Sequence, residues 1–446
     1  MTANRLDFKR VLPIFALTFV DVLGLTVILP LLHLYAATYG ATPFQIGLVA
    51  AAFPLAQLIG VPVMGALSDR YGRKPLLLIS QVSTCISFLM LASANSLEMI
   101  ILSRLVDGLF GANLATAQAA ITDVTDEGTR VQGLGLTGAA FGLGFLFGPA
   151  IALFSLEVSD SLATPALIAA AYSFASILLT LFAFKETLPP QRRQAGRVIQ
   201  AFYLFSAVRM LRRPRLNHLL VLMFGQQVVF FAFESLLGLF ILSRLGLLGQ
   251  GSALVFIYVG FILVYVQARL IGRWNRQYGE RRLVWIALGT LALGLLLLSA
   301  TPDQPHPLYV ERKAAAILRE MKPTAAEAVI GDISITLPDD RRRGIGGLAW
   351  FLAALIPLTV GAGLIRPALN SLMVQQAPAG ETGAVLGVSA AFVSLADAIA
   401  PLLGGWIFQT YGASAPFAIG GVVMLVLLFA SLLLLRPQPV TAGQPR

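Results

Sequence analysis

The chain has 446 residues, of which 57% are hydrophobic and 12% are charged, and its mean hydropathy is +0.80. A soluble protein of this size carries roughly twice that charged fraction, so the composition excludes the soluble class and indicates a membrane protein. The net charge is +10 and the single cysteine is Cys85. One cysteine excludes a disulfide within the chain and a cysteine-ligated metal.

Long apolar runs predict membrane-spanning helices, because about 20 such residues cross a bilayer. The first run, 11–37, is too long for the core of a signal peptide, so we expect an uncleaved first helix. The expected fold class is an all-α membrane protein with twelve spans, numbered here in chain order. They are 11–37, 43–66, 75–93, 97–122, 129–156, 163–184, 216–243, 251–271, 283–301, 347–375, 381–408 and 413–435.

The spans divide into two sets of six. We expect an N-terminal half at 1–184, a connector at 185–215, a C-terminal half at 216–435 and a tail at 436–446. With the N-terminus inside, the inner segments hold 21 of the 32 Lys and Arg residues. This bias predicts a protein of the cell's inner membrane with both termini in the cytoplasm. Within the connector, 198–211 is apolar with arginines at its end and predicts a helix on the membrane surface.

The outer loop at 302–346 is longer than the other outer loops and carries seven basic and seven acidic residues. Residues 309–322 have helical composition, and 328–337 alternate as a short extended segment does. A small folded cap and a disordered insert both fit this pattern. The run Arg341, Arg342 and Arg343, next to span 10, fits poorly with an outer position.

An internal repeat relates the two halves. Tyr71-Gly72 recurs as Tyr278-Gly279 at an offset of 207, and Pro149 recurs as Pro401 at an offset of 252. The difference of 45 equals the length of the outer loop, so a duplication followed by one insertion explains both offsets. Membrane transporters built from repeats bind their substrate near the midplane, between the repeats.

Polar side chains within spans are the candidate functional residues. Each charged one costs at least ~2.5–3.5 kcal/mol at the bilayer centre on insertion scales, so each needs a partner or water. Arg104 and Asp107 are expected to pair on one helix face, because they are three residues apart. The candidates are Asp21 in span 1, Arg104 and Asp107 in span 4, Gln226, Gln227 and Glu234 in span 7, and Asp397 in span 11.

Two interpretations stay open for these residues. Asp21, about 15 Å deep in span 1, is either a proton-carrying carboxylate or a structural acid paired with an arginine. Arg104 with Asp107 is either a coupling or substrate-binding pair or a structural ion pair. Asp397 is better explained as structural. Arg366 and Arg269 fall near the inner ends of their spans, where long side chains reach water.

Glycines in span 5 give a further signal. Gly135, Gly144 and Gly148 with Pro149 predict either a hinge or tight seal between the halves, or ordinary close helix packing. No enzyme, cofactor or metal site is expected, because the sequence lacks a phosphate-binding Gly-x-x-x-x-Gly-Lys-Ser/Thr loop and its three histidines are far apart.

A short charged turn joins spans 2 and 3 and contains Gly65, Asp69, Arg70, Gly72, Arg73 and Lys74. This turn resembles a signature motif of the drug:proton antiporter branch of the major facilitator superfamily. Asp21 to Pro30, Arg104 with Gly108, and the span 5 glycines resemble further motifs of the same branch. The resemblance covers about 11–435. One departure is Ala152-Leu153, where the family motif of span 5 closes with two glycines.

The resemblance implies export of small amphipathic compounds, tetracycline-like or multidrug-like, in exchange for protons, by rocking of the two halves. Asp21, Arg104 and Asp107 would handle the proton, and Gln226, Gln227, Glu234 and Asp397 would contribute to the substrate cavity. The turn would be a cytoplasmic latch, with Asp69 engaging span 11 near Glu381. The expected partners are a small-molecule substrate, protons and the bilayer, without nucleic acid, and the chain is expected to be monomeric. Proton-linked nutrient uptake and a non-transporting sensor or scaffold are the alternatives.

Overall fold

The computed structural model describes residues 8–125, 129–159, 161–189, 191, 214–320, 335–376 and 382–435. Helices account for nearly all of them, and the spans keep their predicted numbers. The first six are Phe8–Ile28 with a 3₁₀ turn Leu29–Leu31 and Leu32–Ala37, then Pro43–Tyr71, Arg73–Ala92, Leu97–Phe110 with Asn113–Val124, Arg130–Val158, and Ala163–Phe182. The second six are Pro214–Leu245, Gly249–Tyr265 with the π-helical Val266–Leu270, the later part of Ile271–Ser299, Gly346–Gln376, Thr382–Tyr411, and Ala415–Leu434.

Spans 8 and 9 form one continuous helical segment with a turn inside it. Among the described residues, eleven helices are long and apolar enough to cross a membrane, and one of them, Gly249–Ser299, has 51 residues. At ~1.5 Å per residue it is about 76 Å long, enough for two crossings. Gly279 interrupts it with φ 72° and ψ 164°. Gly72, between spans 2 and 3, has φ 108° and ψ 164°. The repeated Tyr-Gly pair therefore turns the chain similarly in both halves, and the fold is twelve transmembrane helices in two six-helix halves.

The helix ends follow local sequence signals. At the start of span 2, the Gln45 N–H donates to Thr42 Oγ1 and the Thr42 N–H donates to Gln45 Oε1, with Pro43 in the first helical position. Ser96 accepts the Met99 N–H at the start of span 4. Inside span 1, Pro30 lies in the 3₁₀ turn that interrupts the helix, because proline lacks the N–H that an α-helix requires.

The two halves contact each other mainly through two repeat-related pairs of spans, span 2 with span 11 and span 5 with span 8. We call the end of each span on the side of the 302–346 loop its outer end. There, a Cβ on Gly47 would lie 2.2 Å from the carbonyl oxygen of Pro401, and the Phe44 N–H donates to Gln409 Oε1 at 3.1 Å. At the inner end of span 2, a Cβ on Gly65 would meet no described atom within 4 Å. Spans 2 and 11 are therefore closed together at their outer ends.

The outer loop folds against the C-terminal half at both of its described ends. The expected helix is confirmed as Glu311–Glu320. The His306 N–H donates to the Leu245 carbonyl at 3.1 Å, and the Gly344 N–H donates to the Pro305 carbonyl at 3.0 Å. Tyr309 is buried against Gly246, whose φ of 65° favours glycine. These contacts favour the folded-cap interpretation for the described residues; 328–334, in the expected extended segment, lie outside them.

Candidate transport site

A buried polar cluster lies inside the N-terminal half, between spans 3 and 4. Arg104 and Asp107 form the expected pair, with Arg104 Nη1 and Asp107 Oδ2 3.4 Å apart and only 3% and 4% of the two side chains exposed. Arg104 Nη2 donates to Ser87 Oγ at 2.7 Å, and the guanidinium lies 5.5 Å from the centre of the Phe88 ring. Ser87 and Phe88 belong to span 3, so the arginine is held in place by the protein on two sides.

Asp21 lies beside this pair. Its carboxyl group is close enough to Asp107 for the two to repel each other when both are charged. Gln81 and Ser176, which share a 2.8 Å hydrogen bond, also lie next to it. Asp21 Oδ1 is buried without a hydrogen-bond partner in the described part of the chain. Asp21, Arg104 and Asp107 therefore form one group with two acids and one base, enclosed by the N-terminal half.

A second polar group lies in the C-terminal half. Gln227 Nε2 donates to Asp397 Oδ1 at 2.7 Å, which joins spans 7 and 11. Glu234 lies near both Asp397 and Arg366 of span 10. Gln226 is fully buried and donates to the Met223 carbonyl of its own helix, so it points into the core. The structure thus brings Gln227, Glu234 and Asp397 together, and among the described residues Gln226 contacts the group only through a 3.4 Å hydrogen bond to Gln227 Oε1.

Arg366 is the residue of this group that the sequence interpretation missed. A count along span 10 suggested a side chain that reaches water at the inner end. In the structure it is exposed and lies near Glu234 and Asp397, and among the described residues it forms no ion pair with either. The sequence signal that could have identified Arg366 is its charge, because the C-terminal half already held two candidate acids, Glu234 and Asp397.

The turn between spans 2 and 3 is tied to two other segments. Arg73 Nη1 contacts Asp69 Oδ1 at 2.7 Å, and Arg73 Nε contacts Asp123 Oδ2, at the end of span 4, at 2.9 Å. Glu186, just after span 6, accepts the backbone N–H groups of Arg73 and Lys74 at 2.9 and 3.1 Å. A carboxylate at a helix N-terminus is favourable, because it accepts N–H groups that the helix leaves unpaired. Glu186 was not a candidate from the sequence.

The other members of this turn have separate positions. Lys74 Nζ donates to the carbonyls of Leu181 and Phe184, and the Arg70 guanidinium lies 5.2 Å from the centre of the Tyr71 ring. The Asp69 side chain is 59% exposed and keeps capacity for another partner. Its expected contact with span 11 near Glu381 falls on a residue outside the described ones and stays a prediction.

The span 5 glycines pack against span 1 of the same half. A Cβ on Gly144 would lie 2.3 Å from Val22 Cγ1, and one on Gly148 would lie 2.1 Å from Thr26 Oγ1. Thr26 Oγ1 also donates to the Gly144 carbonyl at 2.9 Å. These contacts favour close packing over a seal between the halves for Gly144 and Gly148. The surroundings of Gly135 lie outside the described part.

Pro149 marks the place where span 5 meets the other half. It lacks the N–H that would bond the carbonyl four residues earlier, which is that of Phe145. That carbonyl faces Gly260 of span 8, where a Cβ would lie 2.8 Å from it. The proline therefore lies at the contact between spans 5 and 8.

Comparison with known proteins decides the family. The profile of the Major Facilitator Superfamily matches residues 14–317 and 344–446. This chain belongs to the Major Facilitator Superfamily. The unmatched stretch between the two blocks lies within the outer loop.

Similar superfamily members include resistance proteins from bacteria. The chain is 26% identical over 422 residues to the class B tetracycline resistance protein of Escherichia coli, covering 94% of this chain and 92% of the relative. It is 24% identical over 409 residues to multidrug resistance protein 1 of Bacillus subtilis (strain 168), covering 90% and 92%.

Solved superfamily structures share the fold. The human organic anion transporter MFSD10 superposes with a TM-score of 0.67 at 21% identity, covering 96% of this chain and 100% of that one. The nucleoside transporter NupG superposes with a TM-score of 0.65 at 15% identity, covering 97% and 100%. At these identities the likeness establishes the fold, a multi-pass membrane transporter fold.

Proposed function

We propose that the chain is a secondary transporter that exports small amphipathic compounds, of the tetracycline or multidrug kind, in exchange for protons. The observation that carries this proposal is the near full-length similarity to two kinds of drug resistance protein, combined with an acid-rich cluster buried in a membrane-spanning half. Transport proceeds by rocking of the two halves about a site between them.

The N-terminal cluster is proposed to carry the proton. Asp21, Arg104 and Asp107 place two acids and one base together, and the side chains of Arg104 and Asp107 are only 3% and 4% exposed. A proton on one carboxyl group balances the charge, so gaining or losing that proton changes the electrostatic energy of the half. Asp21 is the proposed carrier, since its Oδ1 has no partner among the described residues and Asp107 already pairs with Arg104.

The remaining predicted sites complete the proposal. Gln227, Glu234 and Asp397 contribute polar groups to the substrate cavity. The turn around Asp69 and Arg73 acts as a latch at the inner face, closing when the outer face opens. The chain works as a monomer in the inner membrane, with both termini in the cytoplasm, and requires neither nucleic acid nor an enzymatic step.

A drug-panel susceptibility test checks the function. Cells that express the wild type are expected to tolerate at least one amphipathic compound better than cells that express Asp21→Asn at equal protein level. Equal susceptibility of wild-type cells and cells without the protein, across the panel, would contradict drug export.

The direction of transport is tested separately. Inside-out vesicles with an acidic interior are expected to accumulate the compound identified by the panel, because protons leave as substrate enters. Accumulation only when the pH gradient is reversed would establish proton-linked uptake in its place.

A further inference from the structure

Three charged side chains from three spans of the C-terminal half lie near one another. Arg366 is 20 residues beyond Gly346 in a 31-residue helix, so it lies roughly 30 Å from the outer end, in the inner half of span 10. It is exposed. A charged side chain facing lipid is strongly unfavourable, and the neighbouring Glu234 and Asp397 lie on the interior side of spans 7 and 11. The exposed guanidinium therefore faces a space that water can enter.

Arg366 differs from the two buried arginines, Arg73 and Arg104, in having no acidic partner among the described residues. Arg73 and Arg104 both form ion pairs below 4 Å. Arg366 lies near two acids and forms no such pair with either among the described residues. Asp397 instead accepts a hydrogen bond from Gln227. The five N–H donors of this guanidinium are thus available to a ligand.

An aromatic surface lies about one turn toward the inner side of Gln227 and Asp397. Phe224 of span 7 and Phe392 of span 11 meet edge to face, with their ring centres 6.0 Å apart and both side chains partly exposed. Phe224 precedes Gln227 by three residues and Phe392 precedes Asp397 by five, so the same two spans present both surfaces. An aromatic or planar ligand is well matched to such rings.

Asp397 is the member of the group that lies directly below the contact that closes the outer ends. Asp397 is one helical turn before Pro401, whose carbonyl contacts Gly47 of span 2. Asp397, on the outer side of the group, is therefore one helical turn from the contact that must separate for release to the outside.

We propose that Arg366 binds the anionic group of the substrate, so that the transporter takes aromatic zwitterions. The planar guanidinium accepts a carboxylate or similar group through two parallel hydrogen bonds. The rings of the substrate pack on Phe224 and Phe392, and its basic group lies toward Glu234 and Asp397. This inference rests on the proposed export function and names its substrate class.

Ligand binding to the full-length protein in lipid nanodiscs tests the proposal. The probes are norfloxacin, an aromatic zwitterion, and ethidium, an aromatic cation without an acidic group. Arg366→Gln is expected to weaken norfloxacin binding roughly tenfold or more and to change ethidium binding less than twofold, since only the first loses a charge-assisted contact. Arg366→Lys is expected to recover part of the loss, because it keeps the charge without the planar fork.

Arg269→Gln is the matched control, an exposed arginine of span 8 outside the group, and is expected to leave both affinities unchanged. Equal weakening of both probes by Arg366→Gln would assign Arg366 to packing and overturn the proposal. Unchanged norfloxacin binding, or a wild type that does not bind norfloxacin, would overturn it as well. The export function is judged independently, by the drug panel with the wild type.

Discussion

The two halves of this transporter use charge in opposite ways. In the N-terminal half, Arg104 is 3% exposed and is held by Asp107 and Ser87. In the C-terminal half, Arg366 is exposed, and the acids near it leave it unpaired within the described chain. The first arrangement keeps its charges inside the protein, where a proton can alter their balance. The second leaves a charge facing open space, where a ligand can meet it.

The two halves differ in their charged residues although their sequences repeat each other. At the repeat offsets, Asp21 corresponds to Val228 and Asp107 corresponds to Thr359, so the acids of the first half are absent from the second. The turn glycines Gly72 and Gly279 kept similar backbone angles over the same duplication. The repeat thus preserved the helical frame, and each half acquired its own polar side chains.

Removing the buried arginine gives the largest expected effect. Arg104→Met leaves Asp107 buried without a cation, and the free energy of unfolding is expected to fall by about 3–5 kcal/mol. Unfolding in a detergent titration measures it. The double variant Arg104→Met with Asp107→Asn is expected to regain most of that stability, because the buried charge is gone.

Arg366→Met sharpens the comparison between the halves. The free energy of unfolding of this variant is expected to fall by about 0.5 kcal/mol or less, because the Arg366 side chain is exposed and unpaired among the described residues. If Arg366→Met destabilised the protein as much as Arg104→Met does, the two arginines would be equally structural and the contrast would fail.

A glycine of span 5 gives the next largest effect. Gly148→Ala places a methyl group where Thr26 of span 1 lies, 2.8 Å from a backbone carbon, so span 1 and Asp21 with it must shift. The expected loss is about 1–3 kcal/mol, measured in the same titration. Gly138→Ala is the control, because its added Cβ meets no described atom within 4 Å and alanine favours the helix. Equal behaviour of the two variants would contradict the packing assigned to Gly148.

The hydrogen bond within the C-terminal group is expected to give a smaller effect on stability than Gly148→Ala does. Gln227→Leu removes the 2.7 Å contact to Asp397 and is expected to cost about 1 kcal/mol. Gln267→Leu, at an exposed position on span 8, serves as control and should be near neutral. A loss as large as that of Arg104→Met would indicate that the C-terminal group is as tightly held as the N-terminal one.

Hydropathy and charge bias were sufficient to predict the twelve spans, because each span must bury a long apolar surface in lipid. The breaks inside spans 1 and 4 were missed, since an apolar run continues through Pro30 and through Gly111. The pairing of Arg104 with Asp107 was predicted because it depends only on helical spacing. The environment of Arg366 depends on how spans 7 and 11 pack around span 10, and no local pattern contains that information. Which helix the span 5 glycines face is a tertiary property for the same reason.

The most direct test of the proposed division of labour uses Asp21→Asn in reconstituted vesicles. Two activities are compared on one preparation: accumulation driven by a pH gradient, and exchange of labelled for unlabelled substrate without a gradient. We expect the variant to lose gradient-driven accumulation and to retain exchange at close to the wild-type rate, because the residues proposed to bind the substrate lie in the other half. Gradient-driven accumulation that persists in Asp21→Asn would contradict the proton role of the N-terminal cluster.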